Sequence, residues 1–152
     1  MAKAIARKKT VVLTREQAIK QRQWYIVDAE NQVLGRIATK VAMILRGKNR
    51  AIFTPNQDCG DFVIIINSDK VRFTGGNKAL QKKYFKYSGY AGGMNETTLE
   101  KQMQKDSRKV ILEAVGGMLP KSKLANKQLT KCKVYKGAEH DQTAQCPIAL
   151  KL

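Results

Sequence analysis

Across 152 residues, 29 Lys and Arg stand against 12 Asp and Glu, which leaves a net charge of +17 at neutral pH. A surplus of that size repels itself unless a polyanion offsets it; nucleic acid, which releases condensed counterions as its phosphates are neutralised, is the first candidate partner and an anionic membrane surface the second. The length fits one domain with a tail, no apolar run approaches the roughly 18 residues of a membrane span, and three widely spaced cysteines beside a single histidine support neither a zinc knuckle nor a disulfide framework.

The charge is unevenly spread. Residues 1 to 22 carry +6, residues 23 to 75 carry +2 and residues 76 to 152 carry +9, so a nearly neutral middle has basic flanks. The first 22 residues read as a basic arm, in which Thr14 and Gln17 have the spacing of a capping box and predict a short helix over about 15 to 22, ordered on a partner. The start lacks the apolar stretch and cleavage site of a secretory signal, and the chain reads as soluble.

From residue 23 onward the chain reads as one domain. Trp24 to Val27 form a β-prone run ending at Asp28, which predicts a first strand. Leu34, Ile37, Ala38, Val41, Ala42 and Leu45 recur at helical spacing, and Gly47 ends that helix. Arg46 suits the negative helix end, whereas Lys48 and Arg50 lie beyond the last turn and are candidates for phosphate. Phe62 to Ile66 run apolar without alternation, as in a parallel strand covered on both faces. Strand, helix, strand is a βαβ unit, right-handed by the usual sterics, and the fold class is α/β.

Thr74 to Lys78 is glycine-bearing but lacks the spacing of a phosphate-binding P-loop, so it reads as a turn. Lys82, Lys83, Tyr84, Phe85, Lys86, Tyr87 and Tyr90 interleave cations with rings. Two readings fit: phosphate contact with rings stacking on unpaired bases, or an edge strand with rings turned inward and lysines guarding the edge. The lysines are assigned to RNA, and Tyr84 and Phe85 to packing. Residues 97 to 105 and 107 to 119 read as two consecutive helices, the second with an apolar stripe through Val110, Ile111, Ala114, Val115 and Met118, stopped by Pro120. Lys121, Lys123, Lys127, Lys131, Lys133 and Lys136 then recur across a short helix and a strand over 132 to 135, Lys123 and Lys127 sharing a helix face and Lys131 and Lys133 a strand face.

Read in order, these segments resemble the family of bacterial-type large-subunit ribosomal protein thirteen. The resemblance is carried by Trp24-Tyr25-x-Val27-Asp28-Ala29, Leu34-Gly35-Arg36-x-Ala38, Leu45-Arg46-Gly47-Lys48, Thr54-Pro55, Asp58-x-Gly60-Asp61, Asn67-x-Asp69-Lys70-Val71, Thr74-Gly75, Gly117-Met118-Leu119-Pro120-Lys121, Lys133-Val134-Tyr135-x-Gly137, Glu139-His140 and Ala144-Gln145-x-Pro147. It covers roughly residues 24 to 147.

The resemblance implies a three-layer α/β/α domain with a mostly parallel sheet of about four strands. It also implies binding to large-subunit ribosomal RNA beside neighbouring ribosomal proteins, support of early subunit assembly, and a cytoplasmic place in a bacterial-type or organellar ribosome. It implies no catalysis, cofactor, metal, membrane or small-molecule substrate. The chain departs from the family pattern at Asn56, where histidine is usual, at Gly116, where arginine or lysine is usual, at Ala125-Asn126, where Gly-Arg is usual, and near Gln142, where another histidine is often found.

The residues assigned to RNA contact are Arg7, Lys8 and Lys9 in the arm; Arg46, Lys48 and Arg50 after the first long helix; Lys70, Lys78, Lys82, Lys83 and Lys86 in the middle; and Lys121, Lys123, Lys127, Lys131, Lys133 and His140 in the last third. An enzyme built on Asp58 and Asp61 is the rival reading, but one histidine without a nucleophile motif completes no site, and these carboxylates read as caps of loop amides. A DNA-packaging role explains the charge and leaves the order of the family segments unexplained.

Overall fold

The computed structural model describes residues 14–150. Helix α1, Arg15–Lys20, forms where the capping box predicts it: the Thr14 hydroxyl accepts from the Gln17 amide at 3.4 Å and the Gln17 side chain accepts from the Thr14 amide at 3.1 Å. Ala18 is buried, so this part of the expected arm lies against the body. The remainder of the arm, with Arg7, Lys8 and Lys9, falls outside the described residues.

Strands β1 (Trp24–Asp28), β2 (Phe62–Ile66), β5 (Cys132–Val134) and β6 (Ile148–Leu150) make one sheet in the order β5-β2-β1-β6, parallel at every pairing. Between β2 and β5 the chain runs through a short 3₁₀ turn at Ser68–Lys70, helix α3 (Lys78–Gln81), an antiparallel pair β3 (Lys83–Tyr87) and β4 (Met94–Thr98), helix α4 (Leu99–Met118) and helix α5 (Lys123–Leu129). The fold is thus α/β with a four-stranded parallel sheet flanked by helices, as expected.

Alternation along the strands gives the sheet two faces. Val27, Val63, Ile65 and Cys132 point into the core with Tyr25, Val134 and Leu150 packed beside them, and helices α2 (Leu34–Arg46), α4 and α5 supply Ile37, Val41, Leu45, Val110, Ile111, Val115 and Ala125 against them. The opposite face is covered less evenly. Ile64 is fully buried there, while Trp24, Ile26, Phe62 and Ile66 are half-buried and the Trp24 and Phe62 rings stack at 4.2 Å.

Helix α2 ends in a Schellman motif. Gly47 takes φ +80°, its amide bonds to the Ile44 carbonyl at 3.0 Å, and the Lys48 amide bonds to the Met43 carbonyl at 3.0 Å. The chain returns to β2 through Gly60, which lies against the Leu45 backbone at the same helix end.

Two details differ from the sequence reading, while the two consecutive helices are present as expected. Thr97 and Thr98 belong to β4, and the first helix starts only at Leu99, capped by the Thr98 hydroxyl. Element α4 is two helices joined across a kink at the non-helical Asp106 (φ −160°, ψ 98°), whose carboxylate accepts from the Arg108 amide at 3.2 Å and caps the second. Met118, placed in the apolar stripe, is exposed, and Leu119 is buried in its stead.

Candidate nucleic-acid interface

Polar groups at the amino ends of the strands pair with one another. Lys131 immediately precedes β5, and its backbone carbonyl accepts from Val63 of β2. That pairing turns its side chain inward to the Asp58 carboxylate at 2.5 Å, the Gly60 carbonyl at 2.9 Å and the Leu45 carbonyl at 3.4 Å. Arg22 reaches the other Asp58 oxygen at 2.8 Å. Asp61, fully buried, pairs with Arg50 and accepts from the Gln23 amide at 2.9 Å.

Lys131 therefore corrects the sequence expectation. It is 4% exposed, and its ammonium binds the fold rather than facing outward with Lys133. Strand alternation placed the two lysines on one surface, but Lys131 lies just outside the strand, where the α2 terminus offers it acceptors. Arg50, half-buried, is held by Asp61 and by the Gln21 carbonyl at 2.6 Å. Asp58 and Asp61 are likewise ion-pair partners more than caps, although Asp61 does receive one backbone amide. Burial of such pairs makes removal of one partner expensive, on the order of 3–5 kcal/mol, because the other charge is left uncompensated.

Titration of this region has a readable sign. Burial pushes the Cys132 thiol up to about 12 from an ordinary 9.0, against a smaller opposing influence of Lys133. The unfolded chain then loses that proton first, so the stability this group contributes is present below pH 9 and fades as pH climbs toward 12. Burial pulls the neighbouring Lys131 ammonium below its usual range, which works the other way below its ordinary 10.5. Replacing Cys132 with Ala is expected to flatten the fall of the urea midpoint between pH 9 and 12, by up to roughly 4 kcal/mol of integrated slope. Parallel slopes in the two proteins would refute the assignment.

The other assigned cations lie outward. Lys48, Lys78, Lys82, Lys86, Lys121, Lys123, Lys127 and Lys133 are exposed, and among the described residues no carboxylate pairs with them. Lys70 and Lys83 are exposed as well, but each holds a glutamate at 2.8 Å, Glu30 and Glu96 respectively. Arg46 is half-buried with its guanidinium 5.5 Å from the Phe53 ring centre. His140 is half-buried beside Tyr135, ring centres 6.4 Å apart.

Three depressions gather these cations. A cleft of about 530 Å³ has Ala18, Ile19, Phe62 and Leu124 as apolar lining, with Arg22, Lys127 and Lys133 beside them. A groove of about 780 Å³ among the start of α2, α3 and α4 is lined by Arg72, Lys78 and Lys82, with Glu113 on its α4 wall. A third, of about 410 Å³, holds Lys121 and Lys123 next to Gly116 and Asn126, so the two departures at which a basic residue is usual fall in one hollow that retains two lysines. Arg22 and Arg72 were missed by sequence reasoning. Arg22 was absorbed into the arm and Arg72 was given no role; only the fold brings them beside the lysines.

The aromatic segment divides by face. Tyr84 packs on the core, and burial, with the negative charge of Glu113, raises its phenol to about 12. Phe85, expected to pack as well, is 61% exposed.

The sequence profile of the family described as Ribosomal protein L13 matches residues 22–141. Among curated proteins, the chain is 53% identical over 131 residues to "Large ribosomal subunit protein uL13" of Lachnospira eligens, covering 86% of this chain and 92% of that protein. It is 49% identical over 131 residues to the protein of the same name from Nitratidesulfovibrio vulgaris, covering 86% and 90%. The match to the Thermosipho africanus protein of that name, 45% identical over 150 residues, takes in 99% of each chain. With the four-stranded sheet and the family segments in place, the chain belongs to the ribosomal protein L13 family.

Proposed function

We propose that the protein is a structural constituent of the large ribosomal subunit that holds phosphates of large-subunit RNA with exposed Lys and Arg, and so supports early assembly and translation. Its partners are that RNA and adjoining ribosomal proteins, and its place is the ribosome. Family membership supports the setting. The observation that carries the RNA-binding part is the division of labour among charges: Asp58 and Asp61 are engaged by Arg22, Arg50 and Lys131 inside the fold, while Lys48, Lys78, Lys82, Lys86, Lys121, Lys123, Lys127 and Lys133 face outward and pair with no carboxylate among the described residues.

A rigid body then presents cations at fixed separations, which suits recognition of RNA shape more than of base sequence. Arg7, Lys8 and Lys9 extend the same role into the arm, and His140 adds a polar ring near the carboxyl ends of β2 and β5. At those strand ends, where α/β enzymes commonly place ligands, the Asn67 side-chain amide donates to the Asp28 carboxylate at 2.9 Å.

The test is co-sedimentation. Tagged protein should travel with large subunits through a high-salt gradient and be displaced only when particles are stripped of protein. Protein that stays at the top of the gradient, or prefers duplex DNA to large-subunit RNA, would overturn the reading.

A further inference from the structure

The hairpin of β3 and β4 has two unlike faces. Its register sets Lys83 opposite Thr98, Phe85 opposite Glu96 and Tyr87 opposite Met94, so these six residues share one face while Tyr84 and Lys86 lie on the other. Tyr84 anchors the hairpin to the core. On the outer face Phe85 and Tyr87 are both more than 60% exposed and Met94 is 58% exposed, with Tyr90 in the connecting loop more exposed still. Exposed rings at neighbouring positions carry a cost in water that a soluble surface ordinarily avoids, and they mark a contact.

The charge around them indicates what makes that contact. Residues 78 to 98 hold four lysines and one glutamate, and Glu96 is already held by Lys83 at 2.8 Å. Lys82 sits 5.1 Å from the centre of the Tyr84 ring, at the base of the hairpin. The platform is also stiff: the Ser88 amide closes the loop onto the Gly93 carbonyl at 3.0 Å, and the Leu99 amide ties the base to the Lys82 carbonyl at 2.9 Å. Side chains two apart on a strand stand about 6.7 Å from each other. Two stacking steps of about 3.4 Å span nearly the same distance, so a base fits between or upon the two rings.

We propose that the Phe85, Tyr87 and Met94 face is a stacking platform for unpaired nucleotides of RNA, an anionic partner favoured by the hairpin's lysine surplus, with Lys82 beside the Tyr84 ring and Lys86 on the reverse face supplying exposed positive charge. This rests on the RNA-binding reading above and adds to it a site that contacts bases through their π-faces, tolerant of sequence.

The experiment measures binding to deproteinised large-subunit RNA for wild type, Phe85→Ala/Tyr87→Ala, and the ring-conserving Phe85→Tyr/Tyr87→Phe. The alanine pair is expected to weaken binding about 10- to 100-fold at unchanged salt slope, because the rings carry no charge, and the ring-conserving pair to restore it. Melting temperatures should coincide, since both rings are exposed. A single-stranded 12-mer carrying 2-aminopurine should lose fluorescence on wild type and not on the alanine pair.

Equal affinity of wild type and the alanine pair would overturn the platform and leave phosphate binding intact. An alanine pair that binds RNA normally yet fails to enter large subunits would assign the face to a neighbouring protein, and likewise overturn it. Wild type that ignores the RNA altogether would defeat the functional reading, and the platform with it.

Discussion

Raising monovalent salt from 50 to 200 mM is expected to weaken binding of the protein to large-subunit RNA by about 10³–10⁵, if some six to ten phosphates are held. The number is set by cations that pair with no carboxylate among the described residues, and the fold supplies candidates on several surfaces: Lys48 past α2, Lys78 and Lys82 beside Arg72, Lys121 and Lys123 after α4, and Lys127 with Lys133 in the cleft beside α1. Replacing Lys127 and Lys133 together with Ala should lower the slope of log affinity against log salt by about 2, one unit for each phosphate released. Replacing Lys131 with Met should leave the slope alone, because that ammonium is already engaged by Asp58 and two carbonyls. Titrations at five salt concentrations decide it, and a flat response would remove phosphate contact as the basis of binding.

Gly60→Ala is expected to cost on the order of 4 kcal/mol or more, measured as a shift in the urea midpoint. A Cβ at Gly60 would lie 1.7 Å from the Leu45 carbonyl oxygen and 2.4 Å from its carbon, both backbone atoms of the α2 end and neither able to swing aside. Relief requires β2 and α2 to part. The Gly60 and Leu45 carbonyls are also two of the acceptors of Lys131, so separating them leaves a buried ammonium with fewer partners. Gly35→Ala is the matched control, since among the described residues no neighbouring element comes within 4 Å of its added carbon; it should shift stability by less than about 1 kcal/mol. Equal midpoints for Gly60→Ala and wild type would show that the helix end yields to the strand.

The α/β class was legible because the signals were local and strong. An uninterrupted branched run at Phe62–Ile66 and a clean apolar stripe on α2 each determine one element, and Gly47 marks where the helix must stop. β6 went unread because three residues, Ile148–Leu150, are too few to show a period. β4 went unread because its Met94–Thr98 sequence is polar and exposed at its start, and its pairing is set by Tyr84 across the hairpin rather than by its own pattern.

At the candidate site, composition identified exposed lysines well but had no means of telling which cation would meet a carboxylate 73 residues away, as Lys131 meets Asp58. The same blindness to distant partners led Phe85 to be placed inside. Alternation with Tyr84 requires one of the two rings to face out, and only the hairpin's docking onto the core determines which.

The strand order has a kinetic consequence. β1 lies between β2 and β6, and its pairing of Tyr25 with Ile148 closes a loop of nearly the whole described chain. Such closures are paid in chain entropy before any contact rewards them, so collapse of α2 onto β1 and β2 should be rapid and capture of β6 slow. Until that last strand docks, one edge of an apolar ribbon stands open to the solvent, and the newly made molecule is at its most adhesive.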